Sequence, residues 1–182
     1  MLYQFVDGEL MFAGAWFGVE PNALDGNDAN VERDGWLAHP DTGHFRPYVY
    51  NFGNGAQRHH LTFADAEGAQ SDYYRVPLTS GQPYVTNPVP YLIDGQWVLL
   101  LSAAFPVSRD GETIGVVGVD FDLSALSQHF AGIRPYGDGV VRLISHDLMW
   151  AATSDESQLG EPVAQTPISG RCRRRDRAFR RT

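Results

Sequence analysis

Asp120 is the side chain whose surroundings in the sequence most favour binding chemistry. It lies near the end of an apolar segment, residues 113–121, and its direct neighbours are Val119 and Phe121. A carboxylate in this setting must accept hydrogen bonds, pair with a cation or take a shifted pKa, because an unpaired buried charge is costly. We therefore identify Asp120 as a candidate ligand contact, and a purely structural hydrogen-bonding role is the alternative.

Two strands and a tight turn are predicted to position Asp120. Residues 97–107 form a nearly unbroken apolar run and residues 113–121 are rich in β-branched side chains, a pattern typical of strands covered on both faces. Between them, Asp110-Gly111 favours a type I′ turn, so the strands should pair antiparallel. Because side chains alternate along a strand, Gly118 shares the face of Asp120 and should leave space beside the carboxylate.

The same turn signal recurs elsewhere in the chain. Asp7-Gly8 and Asp94-Gly95 each lie between apolar segments, which predicts two more hairpins. Asp122 is a better helix N-cap than Asp120, because apolar residues recur at helical spacing directly after it. We predict an α+β fold with a mostly antiparallel sheet of about five strands, long inserts on one side and a second small sheet that begins near residue 136.

A pair of aromatic residues, Tyr73 and Tyr74, precedes Pro77. We interpret this segment as extended, in which case adjacent side chains point in opposite directions. One ring would then pack into the core while the other faces a cavity.

The other polar clusters match no metal or catalytic signature. An EF-hand reading of residues 25–30 fails because Ala29 stands where an oxygen ligand is needed and Asn30 where glycine is needed. His39, Asp41 and His44 lie close together but lack the spacing of a helical zinc motif. The sequence also contains no GxSxG, no glycine-rich phosphate loop and no CxxC pair. We expect no metal, no cofactor and no enzymatic activity.

Composition limits the partners. The 182 residues carry a net charge of -8, contain no lysine and include one cysteine, Cys172, which cannot form an internal disulfide. Seven of the 14 arginines lie between residues 171 and 181. Such a segment could bind nucleic acid or anionic lipid, but it lacks aromatic interleaving and helical periodicity, so we interpret it as a disordered end and expect no nucleic-acid partner. We recognise no signal peptide and no apolar run of the roughly 20 residues that span a bilayer.

Five segments occur in an order and at a spacing that are specific when taken together: WFGVEPNALDGND, GHFRPYVY, DYYRVP, NPVPYLIDGQWVLLLSAAFPV and GETIGVVGVDFDLSAL. They resemble the double Cache ligand-binding domain of bacterial methyl-accepting chemotaxis receptors and related sensor kinases, over residues 2–160. The resemblance implies two PAS-like modules on a long N-terminal helix, with the ligand in the membrane-distal module. Residues 1–135 would be that distal module without the helix, 136–165 the start of the proximal module, and 166–182 the arginine-rich tail.

The resemblance also implies a set of ligand-binding residues. Tyr73 and Tyr74 stand where the family has an aromatic pair and Asp120 is its strand-end aspartate, and Tyr48 and Tyr91 complete the candidate set. Members that bind amino acids carry an arginine two residues before the aromatic pair, where this chain has Ser71. Recognition of a ligand carboxylate is therefore not expected, whereas recognition of an amine by Asp120 is.

The resemblance implies a small-molecule sensing module on the periplasmic side of an inner-membrane chemoreceptor or sensor kinase. We expect a small-molecule ligand, an amine in preference to an amino acid, a possible homodimer, and a membrane connection only through segments that this sequence lacks. The alternative is a truncated or degenerate Cache domain that binds no ligand and acts as a scaffold.

Overall fold

The computed structural model describes residue 6 and residues 11–30, 35–61 and 68–163. These residues form nine strands and two α-helices, with four short 3-10 turns. The strands are β1 (Phe12–Val19), β2 (Pro47–Tyr50), β3 (Gln57–His60), β4 (Tyr84–Val85), β5 (Val89–Ile93), β6 (Gln96–Arg109), β7 (Glu112–Asp122), β8 (Leu143–Ile144) and β9 (Trp150–Ala152), and the helices are α1 (Asp72–Ser80) and α2 (Leu123–Ala131). None of these helices is long and apolar enough to cross a membrane.

One antiparallel sheet of seven strands organises the fold, in the order β3-β2-β1-β7-β6-β4, with β5 also paired to β6. This confirms the α+β, mostly antiparallel prediction, although two more strands form than the five expected. The additional strands include β3, whose polar QRHH sequence carries no alternating apolar signal.

The hairpin prediction is confirmed at two of its three positions. Asp110 and Gly111 have φ values of 54° and 87°, and Asp94 and Gly95 have 51° and 76°, as a type I′ turn requires. The predicted hairpin at Asp7-Gly8 lies outside the described residues, as does the arginine-rich tail. Asp122 is the N-cap of α2, since its Oδ1 accepts a hydrogen bond of 2.9 Å from the Ala125 amide.

The two faces of the sheet differ. On one face, aromatic side chains of β1, β2, α1 and β5 form the largest core cluster. On the other, Leu101 packs against Leu123 and Leu126 of α2 and against Ala151 and Ala152 of β9. A small second sheet, formed by β8 and β9, follows residue 136 as predicted, and β9 packs against α2 and the main sheet.

The prediction that β6 and β7 are covered on both faces is wrong in part. Phe105 and Val117 are directly paired across the two strands, and both are exposed, at 51% and 36%. Trp97, at the start of β6, is 71% exposed. An unbroken apolar run predicts a strand but does not tell which faces are covered.

Candidate functional site

A cavity of about 220 Å³ opens on the aromatic face of the sheet. Its walls come from β1, β2, β3, α1, β5, β6 and β7, so residues far apart in sequence meet there. The lining residues are mostly aromatic or apolar, with two carboxylates: Trp16, Tyr48, Tyr50, His59, His60, Leu61, Tyr73, Tyr91, Leu92, Ile93, Asp94, Leu100, Ser102 and Asp120. Such a cavity, with a few polar groups among apolar walls, is typical of a small-molecule site.

Asp120 lies in the wall of this cavity and is only 5% exposed. Its Oδ1 accepts two hydrogen bonds, one of 3.0 Å from Trp16 Nε1 and one of 2.6 Å from Ser102 Oγ. Its Oδ2 receives no hydrogen bond of ordinary geometry from the described residues. The carboxylate is therefore held through Oδ1, while Oδ2 lies near the Tyr48 hydroxyl.

The space beside Asp120 is not where the sequence placed it. A Cβ on Gly118 would lie 2.2 Å from the Trp16 indole, so Trp16 fills the gap that this glycine leaves. The glycine that opens space for the carboxylate is Gly14 on β1, since its missing Cβ would lie 3.0 Å from Asp120 Oδ2 and 2.8 Å from the Tyr48 hydroxyl. Gly118 thus brings the indole into hydrogen-bonding position, and Gly14 brings Tyr48 close to Oδ2.

Burial raises the pKa of Asp120 above its usual value of 3.8, although hydrogen bonding from Ser102 and Trp16 and the proximity of Tyr48 oppose the shift. Desolvation disfavours the charged form of any carboxylate, and a partner cation would reverse that effect. The site is therefore electrostatically suited to a positively charged group.

Two tyrosine hydroxyls in the cavity wall lack partners. The buried hydroxyls of Tyr48 and Tyr73 make no hydrogen bond of ordinary geometry with any described residue. Burial raises the pKa of both phenols, and the Asp120 carboxylate raises both further. Two protonated, unsatisfied hydroxyls beside a carboxylate are an uncommon arrangement, because buried polar groups are usually paired.

The interpretation of Tyr73 and Tyr74 as an extended pair is wrong, because both lie in the first turn of α1. Adjacent residues on a helix are about 100° apart, so both rings can be buried on the inner side. Tyr73 lines the cavity and packs edge-on against Trp16 at 4.8 Å, whereas Tyr74 lies outside its lining and donates a hydrogen bond of 2.8 Å to Glu20. Pro77, which favoured a non-helical reading, is accommodated inside the helix.

The other predicted site residues, Tyr48 and Tyr91, both line the cavity. Tyr91 also donates a hydrogen bond of 3.2 Å to the Gln70 carbonyl, and burial raises its pKa. Four of the five predicted residues are thus brought together in one cavity wall, and Tyr74 is not.

A second carboxylate, Asp94 in the turn between β5 and β6, lines the same cavity. It accepts a hydrogen bond of 2.5 Å from the Tyr50 hydroxyl, and burial together with this bond raises the pKa of Tyr50 to about 12. His60 lies nearby, and its pKa is lowered first by burial and then by His59 and His39. The lowered pKa favours the neutral form of this histidine.

None of the described arginines lines the cavity. Arg75, on α1, is exposed and pairs with Asp72 at 2.7 Å. Ser71 is buried and donates to the Gly68 carbonyl. Arg46 is buried with its guanidinium 5.9 Å from the centre of the Tyr74 ring, and it is not among the residues that line the cavity.

Sequence reasoning missed several residues of the site. Trp16 and Ser102 bind Asp120 from 104 and 18 positions away, and only the strand register reveals those contacts. The pairing of β6 with β7 was predicted, but counting back from the Asp110-Gly111 turn points to Leu101; Ser102 becomes the partner of Asp120 because the register shifts by one residue between Val107 and Ser108. No local signal identifies Trp16 or Tyr50.

Potential metal ligands do not converge in the part of the chain that the structure describes. Within residues 11–30, 35–61 and 68–163, no three His, Cys, Asp or Glu side chains are placed to hold a metal ion. His44 lies 3.9 Å from Asp28, and His39 contacts His60 ring to ring.

Comparisons with known proteins find similarity to methyl-accepting chemotaxis proteins. Residues 1–128 match the family model described as methyl-accepting chemotaxis protein-like, first PDC sensor domain. The chain is 33% identical over 168 residues to the methyl-accepting chemotaxis protein TlpQ of Pseudomonas aeruginosa, covering 84% of this chain and 23% of that protein.

Two solved structures are similar over 88% of the chain. One is the extracellular domain of a protein described as a histidine kinase, with 26% identity, a TM-score of 0.69 and 57% of that chain covered. The other is titled methyl-accepting chemotaxis protein X, with 30% identity, a TM-score of 0.66 and 58% covered. The chain therefore spans just over half of each solved structure and about a quarter of the curated relative.

Proposed function

This chain belongs to the methyl-accepting chemotaxis protein-like first PDC sensor domains, and on that premise we propose that its cavity binds a small organic cation, an amine in preference to an amino acid. The observation that carries the proposal is Asp120, a buried carboxylate in the wall of an aromatic cavity that is paired with no described cationic side chain. A ligand ammonium would relieve the cost of its buried charge.

The charge of the cavity wall supports a cation. Asp120 and Asp94 both line it, and no arginine is among the described lining residues. Of the two lining histidines, His60 has its pKa lowered by burial, which favours its neutral form and reduces its repulsion of a cation. An amino acid would place its carboxylate in a cavity whose lining carries Asp120 and Asp94 and no arginine, at an electrostatic cost.

The aromatic lining adds a second attraction. The rings of Trp16, Tyr48, Tyr73 and Tyr91 surround the region of Asp120. A cation over such a ring gains about 0.5–2 kcal/mol through cation–π contact, and more when it is desolvated. Aromatic rings and a carboxylate together favour an amine over a neutral solute.

We propose that this module acts as a sensor and not as a catalyst, on the periplasmic side of an inner-membrane chemoreceptor or sensor kinase and within a homodimer. A hydrogen-bonded route supports a signalling role. The Ser102 amide donates to Thr86 Oγ1 at 2.9 Å, and the adjacent Asn87 Nδ2 donates to Asp147 Oδ2 at 2.7 Å, next to β8. A ligand that shifts Asp120 and Ser102 would therefore act on strands that contact the second module.

Calorimetry with ornithine and its decarboxylated product putrescine tests the proposal, because the two differ by one carboxylate. We expect putrescine to bind more tightly, and Asp120→Ala to abolish that binding. Asp138→Ala is a matched control, since that exposed aspartate lies outside the cavity lining. Tighter binding of ornithine, or undiminished binding of putrescine to the Asp120 variant, would overturn the proposal.

A further inference from the structure

We propose that the ammonium group recognised beside Asp120 is a primary one, and that the hydroxyls of Tyr48 and Tyr73 select it against quaternary ammonium. This inference rests on the proposed amine-binding function and deepens it. It concerns a choice that charge and aromatic rings alone leave open, because both attract any organic cation.

The evidence is the set of polar atoms that the fold leaves unsatisfied in this wall. Asp120 Oδ1 is occupied by Trp16 and Ser102, while Oδ2 has no donor of ordinary geometry among the described residues. The hydroxyls of Tyr48 and Tyr73 are buried and unpartnered as well. Three residues that line one cavity therefore each carry an acceptor atom without a partner of ordinary geometry.

Two of these atoms are close to each other. The Tyr48 hydroxyl and Asp120 Oδ2 lie 2.8 and 3.0 Å from the position that a Gly14 Cβ would occupy. Tyr73 packs against Trp16, which itself binds Asp120. Tyr73 raises the pKa of Tyr48, and the Asp120 carboxylate raises the pKa of both phenols, so the three groups share one electrostatic environment.

The number of donors on the ligand decides the fit. A primary ammonium carries three N–H groups, enough for Oδ2 and both phenol oxygens, whereas a quaternary ammonium carries none and would leave all three unsatisfied. Leaving buried polar groups unpaired costs affinity, and sites built for hydrogen bonds reject analogues that lack them more strongly than apolar pockets do. The polar atoms thus oppose the general preference of aromatic cages for methylated cations.

Ethanolamine and choline form a suitable pair of probes, because they differ only in three N-methyl groups. Putrescine and its fully N-methylated bis-quaternary form provide a second pair. Calorimetry on the intact chain should show the primary amine of each pair binding at least about tenfold more tightly, since hydrogen bonds to a charged group are the interactions removed.

Tyr48→Phe and Tyr73→Phe test whether these two hydroxyls cause the selectivity for a primary ammonium. Each removes an unpartnered hydroxyl and retains the ring, so melting temperature should be unchanged or raised. Each should weaken primary-amine binding several-fold and leave quaternary binding unchanged, which reduces the ratio between the two. Tyr136→Phe is the matched control, because that tyrosine is fully exposed and lies outside the cavity lining.

The outcomes separate this inference from the function on which it rests. Equal or tighter binding of the quaternary member of both pairs, or a ratio unaffected by either tyrosine substitution, would overturn the primary-ammonium inference and leave amine sensing intact. Absence of binding by every amine of either kind would overturn the proposed function and this inference with it.

Discussion

Ser102 Oγ lies 2.6 Å from Asp120 Oδ1, and the two residues are directly paired across β6 and β7. The carboxylate is thus fixed by the register of two long central strands and not by a loop. A binding group on rigid elements is preorganised, which lowers the ordering cost of ligand binding.

The pH dependence of the domain should follow Asp120. Its folded pKa lies above 3.8, so the folded state binds the proton more tightly, and the stability from this group is lost as pH rises through the folded pKa. An amine pairs with the ionised form, so amine affinity should fall as pH is lowered through the same range. Ser102→Ala should raise the pKa further and move the loss of binding to higher pH.

Thermal shifts with and without putrescine across pH 4–8 would measure both effects. Ser108→Ala, on the exposed end of β6, provides the control. A Ser102 variant with an unshifted binding profile would separate this hydrogen bond from the ionisation of Asp120.

Asp120→Asn should separate stability from binding. The amide oxygen can keep the bonds from Trp16 and Ser102, while the amide nitrogen can donate toward the unpartnered Tyr48 hydroxyl. At pH 7 the melting temperature should stay equal or rise, because a buried charge is removed. Amine affinity should fall roughly tenfold or more, since a charged hydrogen bond contributes about 1.5–3 kcal/mol.

Asp122→Asn is the matched control for that substitution, because asparagine caps helices as well as aspartate does. It should leave both melting temperature and affinity nearly unchanged. A large loss of stability in Asp120→Asn alone would indicate that the carboxylate is primarily structural, the alternative that the sequence left open.

Some residues of this site can be predicted from the sequence and others cannot. Asp120 was identifiable because an acid after valines in a β-branched run must be satisfied, and Asp110-Gly111 fixed its partner strand through a local turn rule. Asp122 followed from helical periodicity. These features depend on residues within a few positions of one another, where physical rules are short-range and strong.

The rest depends on long-range pairing. Trp16 reaches Asp120 through the antiparallel pairing of β1 with β7, which no local pattern encodes. The helix at Tyr73 and Tyr74 was missed because Pro77 and the aromatic pair favoured an extended segment, and tertiary packing on β6 and β7 overrode that preference. Glycine beside an acid indicated space, but not that an indole would fill it.

Gly118→Ala should disrupt the carboxylate site from a distance. An added Cβ would stand 2.2 Å from the Trp16 indole, so the indole must move away from Asp120. We expect a loss of about 1–3 kcal/mol in unfolding free energy, typical of overpacking, together with weaker amine binding. Gly35→Ala is the control, because its Cβ would meet nothing closer than 3.9 Å. Denaturant unfolding measures the stability of both variants, and equal midpoints would contradict the prediction.

Asp94→Asn should affect diamines more than monoamines. Asp94 lines the cavity but is exposed, so a second ammonium near it would gain only about 0.2–1 kcal/mol. Putrescine affinity should therefore fall about two- to fivefold, and butylamine affinity should not change. Equal losses for the two ligands would mean that Asp94 acts through the fold and not on a second ammonium.

The exposed apolar face should promote self-association. Phe105 and Val117 lie on the opposite side of their strands from Ser102 and Asp120. Phe105→Ser with Val117→Thr should lower the apparent mass in light scattering at micromolar concentration, with amine affinity unchanged. A monomeric unsubstituted chain at the same concentration would contradict this prediction.

The position of a bound ammonium nitrogen tests the central claim most directly. A crystal structure of the domain with the tightest-binding amine should place that nitrogen about 2.7–3.2 Å from Asp120 Oδ2, within the aromatic cavity. A ligand bound elsewhere, or one whose carboxylate or neutral group faces Asp120, would contradict the account.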